Sequence, residues 1–126
     1  MLDLFLKAWE SADVDGLVAL LKEDATLSMP PSPSWYQGRE AIRIFVAATV
    51  FADGGMFADR AMRRWRLAGT RANRSPAFVI FQRVQTDEYQ PFGLHVIQAE
   101  GGRISNITTF INPSLPARFA RLQQSK

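Results

Sequence analysis

The chain has 126 residues, 47% of them hydrophobic and 21% charged, a composition typical of one globular domain with a buried core. It contains no cysteine and one histidine, which excludes disulfides, thiolate zinc sites, cysteine nucleophiles and multi-histidine metal sites. The net charge is +3, but four basic and nine acidic side chains lie in residues 1–59, against eleven basic and three acidic in residues 60–126.

The N-terminal segment predicts two helices and a strand. Apolar residues from Leu2 to Trp9 have helical spacing. Asp13 is the predicted N-cap of a second, short helix, whose buried stripe runs from Val14 to Leu21. Residues 25–29 alternate as a short strand.

A proline-rich elbow follows this strand. Prolines at 30, 31 and 33 exclude regular helix and sheet hydrogen bonding there. Trp35 and Tyr36 lie on the elbow, which we expect to form the rim of a pocket. Residues 39–51 predict a third helix, and Asp53, Gly54 and Gly55 end it.

The second half of the chain predicts a sheet. A turn is expected at 73–76, a polar loop at 86–90 and a tight turn at 100–102. Asn112 as N-cap and Pro113 at the first helical position predict a short helix over 113–122. The predicted strands cover residues 62–72, 76–84, 92–99 and 103–111.

This order of elements predicts a single α+β domain over residues 1–126. Three N-terminal helices pack on a strongly curved mixed, mostly antiparallel sheet, and a short C-terminal helix follows. Such a sheet closed by helices forms a cone with an internal cavity. The sheet strands carry more apolar residues than one buried face needs, so we expect a homodimer through the outer face.

No apolar run approaches the roughly 20 residues that span a bilayer. The acidic start of the chain, MLDLFLKAWESADVD, lacks the basic flank of a signal peptide. We therefore expect a cytoplasmic protein without a membrane contact. The basic second half is typical of a solvated surface, and would also suit an acidic protein or nucleic acid, although no direct nucleic-acid site is evident.

Three stretches carry a resemblance to a known family. They are AWESADVDGLVALLKEDATL at 8–27, GREAI at 38–42 and GGRI at 101–104. In this order and spacing they resemble an NTF2-like (SnoaL-like) domain, which implies the cone-shaped fold.

A narrower resemblance covers most of the same chain. The segments PPSPSWYQGREAI, RWRLAGTRANRSPAF, PFGLHVIQAEGGRI and INPSLPARF are similar to the C-terminal extension of some extracytoplasmic-function RNA polymerase sigma factors. The resemblance implies a module that tunes promoter binding or polymerase engagement. It also implies partner contacts at Asp53, Gly54 and Gly55 and at Asn112 and Pro113, although the sigma DNA-binding regions are absent from this sequence.

A comparison with the ketosteroid-isomerase branch of the same superfamily tests whether this sequence has the side chains for catalysis. By resemblance, its general-base aspartate corresponds to Met29, a thioether that cannot take a proton. Its oxyanion-donating tyrosine corresponds to Phe5, and its carboxylic acid lies near His95. Because two of the three roles have no suitable side chain, we expect no catalytic residues.

The sequence therefore predicts an apolar pocket that binds a ligand but does not catalyse a reaction. Its expected ligand-binding residues are Met29, Trp35, Tyr36, Phe45 and His95, with no metal and no cofactor. The leading hypothesis is a regulatory domain that contacts sigma-factor regions or RNA polymerase and accepts a small apolar ligand. The alternative is a small isomerase, hydrolase or cyclase acting on a polyketide- or steroid-like substrate.

Overall fold

The computed structural model of the chain describes residues 1–30, 32–49, 65–72, 74–85 and 88–115. Its helices are α1 (Leu2–Glu10), α2 (Val14–Val18) and α3 (Arg39–Ala48). Its strands are β1 (Leu21–Ser28), β2 (Trp35–Gln37), β3 (Trp65–Ala72), β4 (Ser75–Gln85), β5 (Glu88–Glu100) and β6 (Arg103–Ile111).

The six strands form one mixed sheet in the order β2-β1-β6-β5-β4-β3. β1 runs parallel to β6, and every other neighbouring pair is antiparallel. This arrangement confirms the predicted α+β class and the mixed, mostly antiparallel sheet. The predicted helix over 113–122 lies mostly outside the described residues.

The main core lies between the helices and one face of the sheet. α1 contributes Phe5 and Trp9, and α3 contributes Ile42 and Val46. These side chains pack against inward residues of the strands, such as Ile80 and Ile97. Asp13 caps α2 as predicted, since its Oδ1 accepts a hydrogen bond of 2.9 Å from the backbone N–H of Gly16.

The ends of several elements differ from the sequence predictions. The sequence places Leu21 in the stripe of the second helix, but α2 ends at Val18 and Leu21 begins β1, where it pairs with Ile104. A buried leucine satisfies either a helical stripe or a strand, so periodicity alone could not place it. Residues 88–90 were predicted as loop, yet they pair with β4 residues from Gln82 to Gln85, because backbone pairing extends the hairpin past its apolar part.

The elbow also contains a strand that the sequence did not predict. Trp35, Tyr36 and Gln37 pair with Ser28, Leu27 and Thr26 at the edge of the sheet. An edge strand needs a hydrogen-bonding partner on one side only, so a short strand can follow a run of prolines. Residues 50 and 51 of the predicted third helix lie outside the described residues, as do residues 62–64 of the strand predicted over 62–72.

Candidate functional site

His95 lies near the middle of β5 and points toward α1. It is fully buried. The ring of Trp9 packs edge-on against the imidazole with the ring centres 4.3 Å apart, and Phe5 makes a second edge contact at 5.6 Å. These aromatic contacts from the helical layer fix the imidazole in one orientation.

One nitrogen of the His95 ring is paired and the other is not. Nδ1 lies 2.9 Å from the hydroxyl oxygen of Thr109 on the adjacent strand β6. Nε2 is buried and has no hydrogen-bond partner among the described residues. Burial lowers the pKa of His95 to about 3, because the low-dielectric interior disfavours the charged imidazolium. At neutral pH the side chain is therefore an uncharged hydrogen-bonding group.

His95 faces a small apolar cavity of about 20 Å³. That volume holds about one water molecule. In the described part of the chain, the lining contains no carboxylate, lysine or arginine. The lining residues are Trp9, Leu27, Met29, Phe45, Trp65, Ile80, Phe92, His95, Thr109 and Ile111.

The structure brings three of the five predicted pocket residues to this cavity. Met29, Phe45 and His95 line it. Tyr36 is not in the lining, but its ring stacks on Phe45 with the centres 4.3 Å apart, which supports the wall from outside. Trp35 is also not in the lining, and 58% of its surface is exposed.

The two predicted partner-contact loops are described only in part. Asn112 and Pro113 are exposed at the end of β6. The Asn112 side-chain oxygen accepts hydrogen bonds from the backbone N–H and the hydroxyl of Ser114. Asp53, Gly54 and Gly55 lie outside the described residues.

Sequence reasoning missed several residues of the cavity, above all Thr109. Its position opposite His95 depends on how β5 pairs with β6. The only sign of that pairing in the sequence is the predicted turn at Gly101-Gly102. Trp9 and Trp65 also line the cavity. Helical spacing places Trp9 in an apolar stripe but does not indicate that it reaches this cavity. Within the described ranges, no group of three or more acidic or histidine side chains could hold a metal ion.

The described lining of the cavity offers few groups that could transfer a proton. Met29 occupies the place where the resemblance expects a base, and a thioether does not accept a proton. A neutral histidine with a pKa of about 3 is a weak base at the pH where such enzymes act. The described lining combines apolar side chains with a neutral histidine whose buried Nε2 has no described partner.

The match to a family model decides the family. The model described as the SnoaL-like domain matches residues 2–107. The chain belongs to the SnoaL-like family. This SnoaL-like domain is also 31% identical over 121 residues to the ECF RNA polymerase sigma factor SigG of Mycobacterium tuberculosis. The alignment covers 94% of the domain but only 30% of SigG, so the chain spans under a third of the relative's length.

Solved structures agree with the SnoaL-like fold. A candidate ketosteroid isomerase from Kribbella flavida superposes with a TM-score of 0.63 at 19% identity, covering 88% of the domain and 74% of that chain. A candidate polyketide cyclase from Sinorhizobium meliloti gives 0.58 at 15% identity, covering 86% and 91%. An NTF-2 like protein of unknown function from Burkholderia xenovorans gives 0.64 at 12% identity, covering 94% and 88%. At these identities the likeness shows the fold alone.

Over the described ranges, no helix is long and apolar enough to cross a bilayer.

Proposed function

We propose that this SnoaL-like domain is a non-catalytic regulatory module that acts on sigma-factor regions or RNA polymerase. The observation that carries the proposal is the 31% identity to SigG over 94% of the domain. The aligned part of SigG is a minor share of its length, as expected for an accessory module of a longer regulator. The cavity supports the proposal because its described lining offers no ionised acid or base.

The proposed partner contact uses the surface loops that the resemblance assigns. Asn112 and Pro113 are exposed, and the Asn112 cap holds the loop in one conformation. A loop fixed before binding loses little conformational entropy when it docks. Asp53, Gly54 and Gly55 form the second assigned loop, outside the described residues.

The test of this proposal is binding followed by transcription. Isothermal titration calorimetry of the domain against the part of SigG outside the aligned region should give a measurable affinity. Asn112→Ala should weaken it, and the matched surface variant Ser34→Ala should not. In vitro transcription directed by that SigG part should change when the domain is added. No binding to either the SigG part or RNA polymerase would contradict the regulatory proposal.

We further propose that the cavity accepts a small, neutral, mainly apolar molecule. Since the cavity is about 20 Å³, a ligand larger than water requires the lining side chains to move. A polar group on such a ligand could be a carboxylate or a hydroxyl. A hydroxyl is the better match, because no cationic side chain among the described lining residues would pair with a carboxylate.

Tryptophan fluorescence tests ligand binding directly, because Trp9 and Trp65 both line the cavity. A small alcohol such as cyclohexanol is a suitable first probe, with the matching carboxylate, cyclohexanecarboxylate, as its control. The alcohol should shift the emission and the carboxylate should not. His95→Ala should weaken the alcohol's binding, and an unchanged affinity would exclude a contact with Nε2.

A small isomerase or cyclase is the competing function. The observation that favours it is the buried Nε2 of the cavity-lining His95, which has no described partner and could donate to a developing oxyanion. A ketosteroid enone assayed with the wild-type domain and His95→Ala separates the two functions. Turnover well above background that His95→Ala abolishes would replace the regulatory proposal with the enzymatic one.

A further inference from the structure

The strand β3 forms one edge of the sheet. It is the last strand in the sheet order, and β4 is its only hydrogen-bonded neighbour among the described strands. Along this edge Ala68, Gly69 and Arg71 are exposed. An exposed edge strand presents backbone N–H and C=O groups that can pair with another extended chain. The exposed part of β3 is therefore a place where a further strand can join this sheet.

Two observations identify which backbone groups of β3 point away from β4. The N–H of Leu67 donates to Oε2 of Glu10 on α1 at 2.9 Å. Arg71 lies opposite Pro76 on β4, which has no N–H to share with it. Hydrogen-bonded and non-hydrogen-bonded pairs alternate along an antiparallel ladder. Gly69, two residues from both Leu67 and Arg71, therefore also directs its N–H and C=O outward.

The charge along this edge favours an acidic occupant. Arg66 and Arg71 are exposed on β3, and Arg74 is exposed in the turn between β3 and β4, whereas β3 contains no acidic residue. Within the described residues, neither Arg71 nor Arg74 forms an ion pair. The carboxylate of Glu10, bound to the N–H of Leu67, already places one acidic group against this edge. Pairing of β3 with its own copy would instead bring the arginines of both strands together, which is unfavourable.

We propose that residues 68–71 bind an extended acidic segment of a partner protein, which joins the six-stranded sheet as an additional strand. The outward backbone groups of Gly69 and Arg71 pair with the incoming strand, and the arginines pair with its carboxylates. Gly69 adds no side chain at the centre of this edge. In such strand addition the main-chain hydrogen bonds give affinity and the side chains give preference for a partner. The surface is separate from the cavity and from the Asn112 loop, so it does not depend on the function proposed above.

A synthetic peptide of alternating glutamate and threonine, with a fluorescent label, tests the proposal by fluorescence anisotropy with the full chain. We expect saturable binding that weakens as the salt concentration rises. The same peptide with every backbone nitrogen methylated keeps its carboxylates but cannot donate hydrogen bonds, and it should not bind. A peptide of alternating lysine and threonine should not bind either.

Two substitutions of one residue separate backbone pairing from general effects. Gly69→Pro removes an outward N–H at an edge position, where proline does not break the pairing with β4. We expect it to weaken binding of the acidic peptide roughly tenfold. Gly69→Ala keeps the N–H, and a Cβ there meets no atom within 4 Å, so its affinity should match wild type.

A second pair of variants tests the charge. Arg71→Gln should weaken binding several-fold, and the loss should be larger at low salt than at high salt. Arg103→Gln removes the same charge from an exposed position at the start of β6 and should have little effect. If Gly69→Pro does not fold, as judged by circular dichroism, the methylated peptide and Arg71→Gln still decide the outcome.

Several results would overturn the proposal. The first is equal affinity for the methylated and unmethylated peptides, or equal affinity of a folded Gly69→Pro variant and wild type. Tighter binding of single-stranded DNA than of the acidic peptide would assign the arginines to a nucleic acid. A dimer in light scattering that Gly69→Pro dissociates would assign the edge to a second copy of the chain.

Discussion

His95 Nδ1 lies 2.9 Å from the hydroxyl oxygen of Thr109 in the neighbouring strand. Both residues are buried, and they are the only buried polar residues among those that the structure describes. The contact leaves Nε2 of this cavity-lining residue as the ring nitrogen without a described partner. Thr109 thereby fixes which nitrogen of His95 is available to a ligand or a water molecule.

Thr109→Val should destabilise the domain with little change in side-chain shape. The substitution leaves a buried imidazole nitrogen without its partner, which costs about 1–3 kcal/mol. Urea denaturation at pH 7.5 measures this cost. Thr70→Val, on the edge strand β3, is the control and should change the stability by less than the Thr109 variant. Equal effects from the two would mean that the His95–Thr109 contact contributes nothing.

The stability of the domain should fall as the pH drops below about 6.5. The unfolded chain binds a proton at the ordinary histidine pKa near 6.5, whereas folded His95 has a pKa of about 3. Between these pH values only the unfolded chain takes up the proton. The contribution of His95 to the stability of the folded state is therefore fully present above pH 6.5. It is lost as the pH falls, at up to about 1.4 kcal/mol per pH unit. His95→Leu removes the only histidine and should flatten the urea-denaturation profile from pH 7.5 to 5. Parallel profiles would show that His95 is accessible to protons in the folded chain.

Met29→Asp should lower the melting temperature at pH 7.5. Met29 is half-buried at the apolar cavity, where desolvation raises the pKa of an introduced carboxyl. Because the folded state then favours the neutral acid, the difference from wild type should shrink as the pH falls to 5. Ser34→Asp, at an exposed position, should match wild type throughout. A constant difference between pH 5 and 8 would contradict a buried carboxyl.

Gly93→Ala should be strongly destabilising, whereas Gly69→Ala should not. A Cβ at Gly93 would overlap the backbone carbonyl oxygen of Phe110 on β6, and backbone in a sheet cannot yield without breaking its pairing. We expect a loss of about 1–3 kcal/mol or more. A Cβ at Gly69 on the edge strand meets no atom within 4 Å, so alanine there should be neutral or slightly stabilising. Chemical denaturation of both variants provides the measurement, and a tolerated Gly93→Ala would disprove the close approach of β5 to β6.

The sequence by itself determined the class of fold and most of its elements. Helical spacing located α1 and α3, apolar segments between predicted turns located β3 to β6, and Asp13 marked the start of α2. The choice of Met29 and His95 as pocket residues also came from the sequence, because the resemblance aligned these two positions with functional positions of the ketosteroid-isomerase branch. The spacing of apolar side chains indicates which positions are buried, and these assignments depend only on burial.

Only the tertiary structure decided which side chain partners His95. Pairing starts at Glu100 with Arg103 across the Gly101-Gly102 turn, and an unbroken register from there would place Thr108 opposite His95. A bulge between Gln98 and Ala99 lets β6 carry one extra residue, so His95 pairs with Thr109 instead. A shift of one residue sends a side chain to the opposite sheet face. The sequence around the bulge contains no marker of that shift, because it arises from how the whole strand packs against its neighbours.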